Sequence, residues 1–177
     1  MLKIAVKTGV ICGVILIVPT IIQMIIGIDK IWITGIISFV LLVLAIWLIV
    51  KSVKDYRAEC DNRITFAHAF NISITALLIV SLLSVSFQYV HQNFIDPEYG
   101  QKAKAMAMQK FDEKINNNPD ISDDQKMMFM EKFENADYSF TPQKALQTLG
   151  FSVGFYLIVS LIIAASIKKD LNETPQV

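Results

Sequence analysis

Four stretches of this chain are long and apolar enough to cross a lipid bilayer, and none contains a Lys, Arg, Asp or Glu. They run over Thr8–Ile28, Ile31–Val50, Phe70–Val90 and Ala145–Ile167. A hydrocarbon core of about 30 Å is spanned by roughly 20 helical residues rising about 1.5 Å each. Each stretch meets that length. The expected fold is therefore an all-α membrane protein with four transmembrane helices and an extracytoplasmic helical hairpin between the third and fourth. Intramembrane charges mark most pumps, proton relays and ion pathways, and their absence here argues against those functions.

Of the 177 residues 54% are hydrophobic, with mean hydropathy +0.49. A soluble domain is usually about 45–50% apolar. The chain is formally neutral, but its charges are segregated. Lys3, Lys7, Lys51, Lys54, Arg57, Arg63, Lys168 and Lys169 outnumber Asp55, Glu59, Asp61, Asp170 and Glu173 in the short flanking pieces. The segment from Asp96 to Lys144 is net acidic. Short loops rich in Lys and Arg stay in the cytoplasm, whereas long loops cross largely regardless of charge. The N-terminus, the loop after the second span and the tail then share the cytoplasmic side, in keeping with four spans.

The organisation that follows is a first transmembrane hairpin (1–50), a basic cytoplasmic loop (51–65), a third transmembrane helix (66–91), an outer helical hairpin (92–141), a fourth transmembrane helix (142–168) and a cytoplasmic tail (169–177). The expected location is a bacterial cytoplasmic (inner) membrane. Lys3 and Lys7 ahead of an apolar run resemble a signal peptide, but the run is too long and no small-x-small site follows, so it reads as a retained helix. Cys12 lies inside the first span and Cys60 in the cytoplasmic loop, so no disulfide is expected.

Local signals place the helix ends. Pro19 should kink the first helix, since proline removes a backbone donor and clashes with the preceding turn. Gly27–Lys30 reads as a tight turn, and Trp32 and Trp47 as interfacial indoles at the two ends of the second span. Thr65 is a candidate cap for the third helix. Asp96-Pro97-Glu98 reads as a helix start, with an Asp cap and Pro in the first turn, for a helix running to about Ile115. Asn116–Asp120 should break it. Ser122-Asp-Asp-Gln125 is a capping box for a helix ending near Asn135. Tyr99, Ala103, Met106, Ala107 and Phe111 share one face of the first outer helix, and Met127, Phe129, Met130 and Phe133 one of the second; these faces are expected to pack together. Thr141-Pro142 starts the last helix.

Four spans, a basic loop after the second, Phe66, Ala69 and Phe70 in a Phe-x-x-Ala-Phe pattern opening the third, a Met- and Lys-rich helical insert and a short basic tail together resemble the bacterial membrane family "domain of unknown function 4199". The resemblance covers nearly the whole chain. It implies an architecture; it supplies no activity and no catalytic residues.

Two sets of residues invite functional readings. Gly9 and Gly13, and Gly150 and Gly154, form G-x-x-x-G pairs, which let helix backbones approach closely in lipid. Packing within one chain is preferred over dimerisation, although the two pairs sit at opposite depths and cannot face each other. Ser81, Ser84, Gln88 and His91 step by three, four and three, which puts them on one face of the third helix. Interhelical hydrogen bonding, worth about 0.6 kcal/mol each in membranes, is preferred over a polar cavity.

Methionines 106, 108, 127, 128 and 130 of the outer insert could offer soft ligands to Cu(I), but Met is also common filler of apolar faces, and neither metal nor cofactor is expected. His68 and His91 fall on opposite sides of the membrane, and no H-E-x-x-H, G-x-S-x-G, G-x-x-x-x-G-K or C-x-x-C occurs. The chain is therefore expected to be a non-enzymatic membrane protein working by association, with a second copy or with an envelope protein, through the outer hairpin. Besides those, the bilayer is the expected partner; nucleic acid is not. The alternatives are an oligomeric transporter or channel subunit lined by Gln23, Ser81, Ser84 and Gln88 and, less favoured, a membrane enzyme.

Overall fold

The computed structural model describes residues 1–116 and 122–168, apart from the side chains of residues 114–116, 123 and 129. The expected break at 117–120 and the tail from 169 lie outside these residues. Six α-helices are described: α1 (Leu2–Ile26), α2 (Ile31–Glu59), α3 (Phe66–Val90), α4 (Tyr99–Asn116), α5 (Asp123–Asn135) and α6 (Pro142–Ile167). A 3-10 turn, Ile28–Lys30, joins α1 to α2, and a π turn, His91–Ile95, extends α3. Four helical segments have the length and composition to cross a membrane: Leu2–Ile26, Ile28–Glu59, Phe66–Ile95 and Pro142–Ile167.

The helix ends follow from local chemistry. Gly27 stops α1 at φ 85°, a conformation that costs glycine little, and its N–H returns to the Gln23 carbonyl at 2.9 Å. The chain runs helically through Pro19. Thr65 caps α3 by accepting from the His68 amide at 3.3 Å. Ser122 and Gln125 form both halves of the capping box of α5, and Thr141 with Pro142 starts α6. The expected Asp96 side-chain cap is corrected: the Asp96 carbonyl accepts the Tyr99 amide, while its carboxylate takes the Lys102 ammonium. Between α2 and α3, Asp61 and Asn62 adopt left-handed φ values of 51° and 61°, which short polar side chains tolerate better than most.

α3 is the centre of the bundle. It packs on α1 along one side and on α6 along another, and α1 in turn packs on α2. The buried stripes combine small residues (Ala5, Gly9, Cys12 and Gly13 on α1; Ala69, Ser73 and Ala76 on α3; Ser160 and Ala164 on α6) with the aliphatic Ile72, Leu77 and Val80 of α3 and Ile163 and Ile167 of α6. Lipid tails are as apolar as leucine, so apolar burial gives no strong drive here, and close backbone approach does the work instead. Several aromatic residues turn outward, Phe39 being 67% and Phe151 83% exposed.

The two G-x-x-x-G pairs differ in kind. A Cβ at Gly9 would lie 2.7 Å from the Ala76 carbonyl oxygen and 2.9 Å from the Ile79 Cβ; at Gly13 it would meet the Leu83 side chain. Nothing lies within 4 Å of a Cβ built at Gly150 or Gly154. The first pair is thus consumed by the α1–α3 contact, and the second lies on an open face.

Polar contacts tie the helices at both ends. Thr8 Oγ1 donates to Ser52 Oγ at 2.9 Å, linking α1 to α2. Arg57 Nη1 donates to the Ile167 carbonyl at 3.3 Å, where the last carbonyls of a helix welcome a cation. The chain start, the α2–α3 loop and the end of α6 therefore share one end of the bundle. The 3-10 turn, the π turn and α4 lie at the other. Gly9→Val should destabilise the bundle by about 1–3 kcal/mol through overpacking against backbone, whereas Gly154→Val should leave the unfolding of the isolated chain unchanged. Denaturant unfolding in detergent micelles, followed by circular dichroism, measures both.

Candidate functional site at the α1–π turn–α4 junction

The end of the bundle away from the chain start holds a cavity of about 470 Å³. Its walls come from the end of α1, the following turn, the π turn and α4; the polar residues include Gln23, Asp29, His91, Asp96, Tyr99 and Lys102. The π turn makes this possible. An extra residue in the last turn, with the Asp96 amide bonded to the His91 carbonyl at 2.8 Å, turns the chain out of α3 and into α4. Such irregular turns are frequent at functional sites. Asn93 Nδ2 anchors it, donating to the Tyr89 and Phe140 carbonyls at 2.9 and 3.0 Å.

Across the cavity Gln23 Nε2 donates to the Tyr99 hydroxyl at 3.3 Å, joining α1 to α4. Burial pushes the Tyr99 phenol above its ordinary value, with the Gln23 bond opposing, so its proton remains available to donate. Lys102 Nζ lies 2.9 Å from Asp96 and 3.7 Å from Glu98. The His91 ring meets Tyr99 edge-on at 5.2 Å between centroids and stacks on Phe87 at 6.5 Å. His91 is 2% exposed, and its Nε2 has no hydrogen-bond partner among the described residues. A buried polar atom left unpaired costs about 1–3 kcal/mol.

The expected polar face divides. Ser81 and His91 are buried, Ser84 and Gln88 half-buried, so the face turns inward. Of the four, only His91 is among the residues that form the outer cavity. The interhelical bonds expected of Ser81 and Ser84 are not formed: both hydroxyls, and that of Ser160 on α6, are buried without a partner among the described residues. Close packing of small side chains takes their place. The cavity residues that sequence reasoning passed over as site residues are Asp29, Asp96, Tyr99 and Lys102. Their only signals were the Glu98–Lys102 spacing of four and the helix start at Asp96.

The outer helices meet at Phe111 and Phe133, with centroids 4.8 Å apart. Lys104 Nζ donates to the Glu134 carbonyl. Gly100 lies so close to the following segment that a Cβ there would be 2.9 Å from the Tyr138 carbonyl oxygen. Met127 departs from its expected role in this contact. It is 72% exposed, with Met128 at 54%, on a face that also carries Asp124, Glu131 and Glu134. Met127 lies about 120° around the helix from Phe133, the residue that meets α4.

The described residues include no group of three His, Cys, Asp or Glu able to hold a metal ion. His68 and His91 sit at opposite ends of α3, whose 25 residues span about 37 Å. The two cysteines are free, Cys12 donating weakly to the Ala45 carbonyl at 3.6 Å.

A basal clamp joins the outer region to α6. Lys144 Nζ lies 2.9 Å from the Asp137 carboxylate and donates to the Ser139 carbonyl at 2.8 Å. The Ser139 side chain, Lys144 and the Ser139 amide hold the Asp137 carboxyl well below the usual carboxylate range. A depressed value stabilises the fold above the ordinary pKa, and that contribution fades as pH falls toward the depressed one. Solvent screens the exposed pair, so the effect is small. Asp137 should remain ionised near pH 4, where an ordinary Asp is about half protonated, and Lys144→Met should raise its midpoint. A carboxyl-carbon NMR titration reads both.

The model of the family described as "Protein of unknown function (DUF4199)" matches residues 7–169, and the chain belongs to that family. Comparison with curated proteins and with solved structures finds no match.

Proposed function

We propose that this is a non-enzymatic protein of a bacterial cytoplasmic membrane that works by association, presenting its outer helical hairpin to an envelope partner. The observation that carries this reading is the exposed Met127 and Met128 on α5, outside the four candidate spans. Lipid accounts for exposed apolar residues on membrane helices; it does not account for these. Methionine adapts its shape to a partner, and the flanking acids favour a surface that combines apolar and basic groups.

In-membrane crosslinking in intact cells tests this. Met127→Glu with Met128→Glu, or deletion of 97–137, should abolish the crosslinked partner while the protein still reaches the membrane. Partner recovery unchanged by both would end the proposal.

The orientation proposed places both termini in the cytoplasm, supported by the Lys and Arg of the end that carries them. A membrane-impermeant maleimide should then label a cysteine introduced at Ala136 in intact cells, and should label Cys60 only after the membrane is opened.

Self-association is the second reading. Gly150 and Gly154 lie open on α6, between exposed Phe151 and Phe155, and would let a second copy approach closely.

A further inference from the structure

We propose that the outer cavity is a binding site for a primary ammonium group, carried by a small amine or by an ethanolamine lipid headgroup. The charges of its lining do not cancel. Asp96 is neutralised by Lys102, and Lys102 is held between Asp96 and Glu98, so it is not available to an anion. Asp29 stands on the rim without an ion-pair partner among the described residues, Lys30 included. One negative charge remains, and one cationic group complements it.

The uncharged groups fit an ammonium that has N–H donors. Gln23 spends its amide nitrogen on Tyr99, which leaves its carbonyl oxygen as an acceptor. The His91 imidazole, buried and unpartnered at Nε2, offers a second acceptor in its neutral form. Tyr99 contributes a ring face to the cation and a hydroxyl proton to an oxygen two carbons away on the same ligand. Met24 and Met106 cover the apolar stem. The cavity volume, about 470 Å³, suits a headgroup or a small amine and exceeds what a lone inorganic ion fills. Its place beside the outer ends of α1 and α3 gives access both from water and from the lipid surface.

The test uses the full chain in nanodiscs of phosphatidylcholine, which has no primary ammonium. Titration with ethanolamine should show saturable binding and shift the His91 ring-nitrogen resonances. Asp29→Asn, at an exposed position, should weaken binding on the order of tenfold, the usual worth of one charged hydrogen bond. Choline, lacking N–H donors, should bind more weakly than ethanolamine. Adding phosphatidylethanolamine to the discs separates the sources. Falling ethanolamine affinity identifies the lipid headgroup, and unchanged affinity the free amine; both support an ammonium site. Non-saturable binding, or equal affinity in wild type, Asp29→Asn and Tyr99→Phe, overturns it. No envelope partner is present, so the result is independent of the association proposed for α5.

Discussion

The contact on which the bundle depends is the approach of α1 to α3 at Gly9, where a Cβ would press on the Ala76 carbonyl. In lipid, helices gain little by hiding leucine from a solvent that is itself hydrocarbon. What holds them is dense packing at short range, and density requires small side chains. This explains why Ala5, Cys12, Ala69, Ala76 and Ala164 are buried beside the aliphatic Ile49, Val53, Ile72 and Val80 while Trp32 and Trp47 face outward. It also explains why α3, touched on two sides, is the most buried span, with 39% of its apolar window enclosed against 17–22% for the others. α1 and α6 are positioned by their fit to α3, and α2 chiefly by its fit to α1.

The same arrangement builds the outer junction. The chain leaves α3 through the π turn at His91–Ile95, with His91 buried and Phe94 and Ile95 exposed. Turning there buries the imidazole and swings Asp96, Tyr99 and Lys102 over the end of α1. A polar cavity results, with residues from α1, the two turns and α4. Beyond it, Phe111 against Phe133 joins α4 to α5 and the Lys144 clamp joins the segment after α5 to α6, leaving Met127 and Met128 exposed. Two different surfaces thus lie close together: a charged cavity suited to a small ligand and an apolar, acid-flanked helix suited to a protein. The first stands on buried geometry, the second on exposure.

Much of this was legible in residues close together in the chain. The capping groups at Thr65, Ser122 with Gln125, and Thr141 mark helix starts because each acts on amides within three residues of itself. Gly27 marks a helix end for the same local reason. The inward turn of Ser81 and His91 also followed from spacing. Sequence reasoning failed where distant segments decide. Ser81 and Ser84 look like interhelical donors, yet the packed bundle buries both hydroxyls without a partner among the described residues. Met127 looks like a hairpin contact, but α5 meets α4 through Phe133 and leaves Met127 exposed. Asp96 looks like a side-chain cap until Lys102, one and a half turns on, takes its carboxylate.

By itself the sequence determined the solvent, the number of spans and most helix boundaries. These depend on apolar run length and on hydrogen bonds within a turn, both of which act along the chain. Only the tertiary structure decided which glycine pair is spent on packing and which stays open, and which of four polar residues reaches a cavity. Gly9 and Gly150 are equivalent as residues; what separates them is Ala76 lying against one and nothing against the other. That distinction is set by how helices far apart in sequence fit together, and short-range dispersion and steric contact, which enforce it, leave no periodic trace in the chain.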